Sequence, residues 1–221
     1  MSKVGSALIG GGLVVAAGLL IMTVPALAHF VPQPCDFITG GGFVFEDGGG
    51  RDNFGAHGGC KQNGPDAPFW GHVNYVDHNG DNGTVPFHVD STRITGYLCD
   101  PAFPNARDIC GVARTNANGD PVFFRVRMID NGEGTNAICK DEFGIRLSTG
   151  YLVSTRPLAN GGSGGGNVQL HKDNPSTVGP AGDESLCNGV ENPGDPVQSG
   201  CPINPEAQTN CGGAPPTPPP S

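Results

Sequence analysis

The sequence predicts an all-β protein, either an antiparallel β-sandwich or a small barrel of eight to nine short strands, stabilised by disulfides and followed by a largely irregular C-terminal tail. Three observations predict this fold class. Short runs in which apolar and polar residues alternate recur along residues 35–172. The 37 glycines and 21 prolines in 221 residues argue against long helices. The eight cysteines, an even number, indicate a disulfide framework.

The first 28 residues have the features of a secretory signal peptide. Lys3 precedes the apolar run Ala7–Met22, and Ala26–Ala28 is a small-residue cleavage motif. A membrane-spanning helix needs about 20 apolar residues, and this run is shorter. We therefore expect cleavage before His29, a secreted or cell-surface location, no membrane segment in the mature form, and a short extension at residues 29–34.

The charge of the mature chain bears on its partners. Removing residues 1–28 takes away Lys3 and no acidic residue, which leaves 11 basic and 21 acidic side chains. Such an acidic chain repels phosphate backbones, so nucleic acid is not an expected partner. We expect instead cell-surface glycans, matrix, or copies of the chain itself.

The predicted strands follow one another between turn signals. The most distinctive stretch is Phe69–His78, FWGHVNYVDH, in which Val73 and Tyr75 face one side and His72 and Asn74 the other. The predicted strands are Phe37–Glu46, Asn53–Ala56, Gly71–Asp77, Thr84–Asp90, Thr92–Cys99, Ile109–Thr115, Val122–Asp130, Glu142–Ser148 with its continuation Tyr151–Thr155 after Gly150, and Gly166–Lys172.

The regular alternation of Val122–Asp130 is typical of a half-buried strand. Its apolar residues lie on one face, and Arg125 and Arg127 lie on the other. We expect one face to point into the core and the arginine face to point away from it.

The composition changes after Lys172. Residues 173–221 are rich in Pro, Gly, Asn and Asp, and such a segment buries too little apolar surface to become ordered unaided. Its three cysteines are therefore expected to hold it in place. The end, Ala214–Ser221, has the composition of a polyproline extension.

The spacing of the cysteines suggests particular pairs. Cys99 and Cys110 flank a loop that contains Pro and Asn, so we expect them to staple a hairpin. Cys35 and Cys60 bracket the first two strands and are expected to pair. Cys139 then bonds with one tail cysteine and the other two bond with each other, the tail cysteines being Cys187, Cys201 and Cys211.

A set of ordered motifs resembles a known family. They are ITGGG (Ile38–Gly42), DNFG (Asp52–Gly55), FWGHVNYVDH (Phe69–His78), STRITG (Ser91–Gly96), CGVARTN (Cys110–Asn116), RVRMIDNGE (Arg125–Glu133), FGIRLSTGY (Phe143–Tyr151) and GGGNVQLHK (Gly164–Lys172). Together they are similar to the post-COAP domain, a β-rich module that exported bacterial proteins carry beside surface-anchor domains and that has no established activity. The resemblance covers about residues 35–172, implies an extracellular β-domain, and supplies no catalytic residues.

One loop has the pattern of a calcium site. Asp77, Asn79 and Asp81 place oxygen ligands at alternate positions, as in the first half of an EF-hand loop. The match is partial, because the sixth position is Asn82 rather than Gly and the twelfth is His88 rather than Glu. The alternative is a solvated turn, which favours the same residue types. Calcium is therefore a candidate cofactor.

Three histidines form a second candidate metal site, for a transition metal. His72 and His78 share one face of the predicted strand but lie about 20 Å apart at the strand rise, so one ion binds both only if the strand bends. His78 and His88 approach each other more easily across a hairpin. The alternative is that all three are isolated histidines.

An aromatic platform for sugars is a third candidate. Trp70 and Tyr75, with Phe69, lie in one strand. The alternative is that Phe69 or Trp70 caps the core.

The sequence contains no catalytic signature. Ser91, Ser148 and Ser154 lack a nucleophile motif, and every cysteine has a disulfide role. We therefore expect a non-enzymatic structural or interaction module. The alternatives are a calcium- or glycan-binding adhesion module and a filament subunit, in which His29–Pro34 or the tail adds a strand to the sheet edge of a neighbour.

Overall fold

Nine antiparallel strands form one sheet that curls into a half-barrel, which confirms the predicted all-β class. The computed structural model describes residues 29–46, 49–61, 68–81, 83–117, 121–132, 139–158, 165–173, 177–204 and 211. The strands are β1 (Phe37–Phe45), β2 (Arg51–Cys60), β3 (Phe69–Asp77), β4 (Phe87–Asp100), β5 (Phe103–Thr115), β6 (Val122–Ile129), β7 (Glu142–Leu147), β8 (Leu152–Pro157) and β9 (Gly166–His171).

The strands are connected as a meander. Their order in the sheet is β8-β7-β6-β5-β4-β3-β2-β1-β9. Strands β1 to β8 therefore follow one another in the sheet as they do in the sequence, and β9 pairs with β1. The predicted strands Thr84–Asp90 and Thr92–Cys99 form a single strand, β4, in place of two. Its ladder with β5 continues through register shifts after Ser91 and Ile94, because β-bulges absorb the irregularity without ending the pairing.

The hydrophobic core fills the concave side of the sheet. Phe54 on β2 stacks on Phe143 on β7, with 3.9 Å between the ring centroids. On β2, Gly58 allows a close approach to β5, since a Cβ at this position would lie 2.9 Å from Cγ1 of Ile109. The two halves of the curled sheet therefore pack against each other and share one core.

The free edge of β9 is occupied by side chains of the same chain. The backbone N–H of Val168 donates to Asp141 Oδ2 at 2.7 Å, and that of Leu170 donates to Asp130 Oδ2 at 2.8 Å. Both aspartates are buried. These carboxylates satisfy edge amides that would otherwise be open to another strand.

The tail packs on the outer face of the sheet. A 3-10 helix, Glu184–Cys187, lies against β4, β5 and β6 and is capped by Asp183, whose side chain accepts the N–H of Ser185 at 2.9 Å. The hydroxyl of Thr95 on β4 donates to the carbonyl of Leu186 at 2.9 Å. The tail therefore forms a partial second layer over the sheet.

Arg125 and Arg127 lie on this outer face, as the alternation predicts, but the tail buries both. Their exposed fractions are 2% and 0%. Asp108 accepts from Arg125 Nη2 at 2.5 Å and from Arg127 Nε at 2.8 Å. Glu184 of the tail accepts from Arg125 Nη1 at 2.5 Å. Pairing with carboxylates is what allows guanidinium groups to be buried here.

Four disulfides link the described residues: Cys35 with Cys60, Cys99 with Cys211, Cys110 with Cys187, and Cys139 with Cys201. The predicted pair Cys35–Cys60 is confirmed, and Cys139 does bond with a tail cysteine. The predicted pairing of two tail cysteines with each other is wrong, because the tail is bound to the sheet at three separate points.

The predicted pair Cys99–Cys110 is also wrong. The register of β4 and β5 places Cys99 opposite Arg107 and Cys110 opposite Gly96. The two cysteines are therefore separated by three positions along the ladder, about 10 Å at the strand rise. A disulfide requires a Cα separation below about 7 Å, so each bonds with the tail instead.

Two predicted segments, the signal peptide at residues 1–28 and the extension at residues 214–221, lie outside the described residues. Within the described ranges, the structure has no helix of the length and hydropathy that a membrane crossing requires. The four disulfides are consistent with a location outside the cytoplasm.

Candidate functional site

An aromatic surface covers the outer face of β9, β1, β2 and β3. Phe37 is stacked on His171 at 4.2 Å between ring centroids and lies 5.6 Å from Trp70. His57 lies 5.9 Å from Trp70 and 6.4 Å from His72. We call these five residues the outer aromatic surface. None is fully buried, and the side chain of His72 is 46% exposed.

The strand geometry explains why these rings meet. Side chains alternate between the two faces of a strand, so Trp70 and His72 point away from the core while Val73 and Tyr75 point into it. Register then places His57 opposite His72 on the neighbouring strand. The tail covers another part of the outer face and leaves this one partly exposed.

Exposed polar side chains surround the rings. The Thr39 hydroxyl lies 2.9 Å from Nε2 of His171, and the amides of Asn74, Asn167 and Gln169 are exposed on the same face. Rings flanked by hydrogen-bonding amides and hydroxyls present both an apolar contact and polar partners to a ligand.

His72 is held in one orientation by two residues of β4. Its Nε2 lies 3.2 Å from Asp90 Oδ1, and its Nδ1 lies 3.2 Å from the Ser91 hydroxyl, which also accepts the N–H of Val73 at 2.8 Å. Because a carboxylate accepts, Nε2 carries the proton and Nδ1 accepts from Ser91. Partial burial and the neighbouring His72 lower the pKa of His57, so His57 is neutral at physiological pH.

Of the predicted sugar-platform residues, the structure keeps Trp70 on the surface and removes Tyr75 from it. Tyr75 is 0% exposed and faces the core, so its assignment to a ligand surface is wrong. The two residues are five positions apart, an odd number, and a strand therefore sends them to opposite faces. Phe69 is buried, while Trp70 borders a groove lined by Pro68, Gly71, Arg93, Thr95 and Leu186.

The predicted transition-metal site of His72, His78 and His88 is not formed. Among the described residues, only Glu46, Asp52 and Asp77 have metal-ligating atoms grouped within 4.8 Å of one another. His72 lies within β3, His78 follows the end of β3, and His88 lies on β4 opposite Val76.

In the loop predicted to bind calcium, Asp77 organises a turn. Asp77 Oδ1 accepts the backbone N–H groups of Asn79 and Gly80 at 2.7 and 2.8 Å, which makes the loop a turn built around Asp77. Asp81 forms a backbone bridge with Thr84. The calcium site at Asp77, Asn79 and Asp81 stays a prediction.

Asp77 also belongs to a group of three carboxylates, which we call the carboxylate cluster: Glu46 after β1, Asp52 on β2 and Asp77 at the end of β3. Asp52 is 0% exposed, and neither of its carboxylate oxygens has a hydrogen-bond partner. Burial raises the pKa of Asp52 to about 7, and the charges of Glu46 and Asp77 add to the rise. Burial and Asp77 likewise raise the pKa of Glu46.

Two tyrosines adjoin the cluster. The Tyr151 hydroxyl donates to Asp77 Oδ2 at 3.0 Å. The Tyr75 hydroxyl lies 2.7 Å from that of Tyr151. The two hydroxyls therefore connect the cluster to the aromatic core.

A second group of charges is structural. The His29 Nε2 lies 2.7 Å from Asp100 Oδ2, its Nδ1 contacts Glu184, and both arginines of β6 adjoin it. Burial alone would raise the pKa of Asp108, but Arg127 and Arg125 outweigh burial and hold it well below its usual range. The two arginines pair with the acids of this group, and its contacts join the N-terminal segment to the tail.

Most residues of the outer aromatic surface and of the carboxylate cluster were not predicted from the sequence. Phe37, His57 and His171 lie on three strands that only the sheet order brings together. The sequence did contain an indication of Asp52. It precedes Phe54 by two residues, so the side chains of both residues lie on the same, core-facing side of the strand. A charged residue on a core face is a local inconsistency, and such positions are often functional.

Comparison with protein-family models, with curated protein sequences and with solved structures gave no match to this chain. The resemblance to the post-COAP domain therefore depends on the sequence motifs alone.

Proposed function

We propose that this protein is a secreted, non-enzymatic module that binds neutral glycans through the outer aromatic surface. The observation that carries the proposal is the contact of Phe37, Trp70 and His171 on a partly exposed sheet face. The predicted export signal and the disulfides support an extracellular setting, where such ligands occur.

The chemistry of the surface favours a sugar over other ligands. The faces of sugar rings carry C–H groups that pack on aromatic rings, and their hydroxyls bond with amides such as those of Asn74, Asn167 and Gln169. His57 is neutral, and Asp90 adds a negative charge beside His72. A neutral polysaccharide fits both properties.

The alternative that the protein is a filament subunit has less support. Strand addition needs a sheet edge with unpaired amides, and at one of the two edges, that of β9, the carboxylates of Asp141 and Asp130 bind the amides of Val168 and Leu170. One of the two segments expected to add a strand, His29–Pro34, is bound within its own molecule, since Phe30 pairs with Cys99 through two backbone hydrogen bonds of 3.2 and 2.8 Å.

A polysaccharide pull-down and a glycan array on the mature protein test this proposal. We expect binding to at least one neutral glycan, reduced at least tenfold by Trp70→Ala. The matched control is Phe123→Ala, because Phe123 is an exposed aromatic residue on β6, away from this surface. Equal binding by the Trp70 variant, or no glycan bound by the wild type, would overturn the proposal.

A further inference from the structure

The carboxylate cluster has the properties of a cation site and no role in the proposed glycan surface. Asp52 and Asp77 are buried, and Glu46 is partly exposed, which leaves the cluster accessible from the side of Glu46. None of the ion pairs among the described residues includes any of these three acids. Three carboxylates in contact without a cation repel one another, and burial strengthens that repulsion.

We propose that Glu46, Asp52 and Asp77 bind one calcium ion. The strongest support is Asp52, a fully buried carboxylate whose two oxygens have no hydrogen-bond partner and lie beside the other two acids. A buried polar group without a partner is costly and calls for an explanation. A bound cation supplies the partner for both oxygens.

The spacing of the oxygens fits calcium. Calcium holds its oxygen ligands at 2.3–2.6 Å, so two ligands on opposite sides of the ion are about 4.6–5.2 Å apart. The three carboxylates each have an oxygen within 4.8 Å of the others. Calcium takes six to eight ligands, and water that enters beside the half-buried Glu46 completes the set.

One ligand is already held in place. Asp77 is fixed by the N–H groups of Asn79 and Gly80 and by the hydroxyl of Tyr151. At Gly80, φ is +86° and a Cβ would lie 2.2 Å from the carbonyl oxygen of Thr84, so only glycine fits there. A carboxylate with a fixed orientation loses little entropy when it binds an ion.

Ion binding has a structural consequence. Glu46 and Gly50 form the turn after β1, with Glu46 N–H donating to Gly50 O at 2.9 Å, and the side chain of Asn79 lies against Gly50. Calcium on Glu46 and Asp77 therefore ties this turn to the loop after β3. We expect calcium to stabilise the folded protein against heat and denaturant.

The test is calcium binding by the mature protein, measured by calorimetry after EDTA treatment and dialysis. We expect one ion per chain with a dissociation constant of about 10⁻⁴ to 10⁻³ M, as in other extracellular modules. At a calcium concentration one hundred times that constant, the equilibrium constant for unfolding falls about 100-fold.

Asp52→Asn and Glu46→Gln, which keep size and remove charge, are each expected to weaken binding at least tenfold. Asp81→Asn is the matched control, because Asp81 belongs to the neighbouring loop but lies outside the cluster. If Asp52→Asn does not fold, Glu46→Gln carries the test, since Glu46 is partly exposed at a strand end.

Three results would overturn the proposal: no binding by the wild type at 10⁻² M calcium, several weak sites that the cluster variants leave unchanged, or equal weakening by Asp81→Asn. The absence of binding would mean that a proton neutralises the cluster. Equal weakening by Asp81→Asn would mean that calcium binds the loop Asp77–Asp81. The readout is calcium itself, so a failure of glycan binding does not affect this test.

Discussion

Phe54 on β2 and Phe143 on β7 stack with 3.9 Å between their ring centroids and 15° between their planes, although β3, β4, β5 and β6 separate their strands in the sheet. The contact shows how far the sheet curls. Tyr75 lies beside the same pair, 6.1 Å from Phe143, and it links the aromatic core to the carboxylate cluster through Tyr151. The curl therefore builds the core and the candidate cation site together.

Replacing Phe143 tests the curl. Phe143 is 0% exposed, and its loss removes the stack with Phe54 and leaves a cavity between the two halves of the sheet. We expect Phe143→Ala to lower the free energy of unfolding by about 3–5 kcal/mol and Phe143→Leu to lower it less, measured by urea denaturation. Phe123→Ala, at an exposed site, is the control. A loss below about 1 kcal/mol would show that the halves do not share a core.

The disulfide pairing is open to direct measurement. Peptide mapping under non-reducing conditions should recover Cys110 joined to Cys187 and Cys99 joined to Cys211. The double variant Cys110→Ala, Cys187→Ala should lose about 2–4 kcal/mol, because the unfolded chain gains entropy and the tail is freed from β5. A peptide that joins Cys99 to Cys110 would contradict this arrangement.

The buried charges predict sensitivity to acid. The arginines hold the folded-state pKa of Asp108 below its unfolded value, so its contribution to stability is complete above about pH 4 and is lost as the pH falls through the folded pKa. We expect the unfolding temperature, followed by circular dichroism, to fall steeply below about pH 4.

Asp108→Asn should lower the unfolding temperature at pH 7 and flatten its fall in acid, since it removes the buried carboxylate that Arg125 and Arg127 share and leaves Arg127 with Asp100 as its buried partner. The control is Asp195→Asn, because Asp195 is 72% exposed and lies 3.6 Å from Arg127. An acid profile that is unchanged in the Asp108 variant would mean that other carboxylates determine it.

The edge of β9 gives a prediction about association. Asp141→Ala removes the acceptor for the Val168 N–H. We expect a loss of about 1–3 kcal/mol in the free energy of unfolding, together with self-association seen by light scattering, because the edge becomes open to strand pairing. Glu191→Ala, which removes a carboxylate that is 75% exposed, should change neither quantity. A monomeric Asp141 variant would show that the edge is protected by other means.

Much of the fold was predictable from local patterns. The alternation in Phe69–Asp77 placed Val73 and Tyr75 on the core side, and the structure places them there. The Cys35–Cys60 pair was predictable because both cysteines flank the same hairpin. The candidate sites were less predictable from the sequence. Trp70 was identified, but its neighbours Phe37 and His171 were not, because they come from strands more than thirty residues away in sequence.

The sequence by itself determined the strands, the side of each strand that faces the core, and the need for disulfides. These follow from the two-residue period of a strand and from the low apolar content of the tail, which are local properties. The tertiary structure decided the partners of Cys99 and Cys110, the burial of Arg125 and Arg127, and the meeting of Glu46 with Asp52 and Asp77. Those outcomes depend on how far the sheet curls and where the tail crosses it, and the curl results from packing between strands that are distant in the chain.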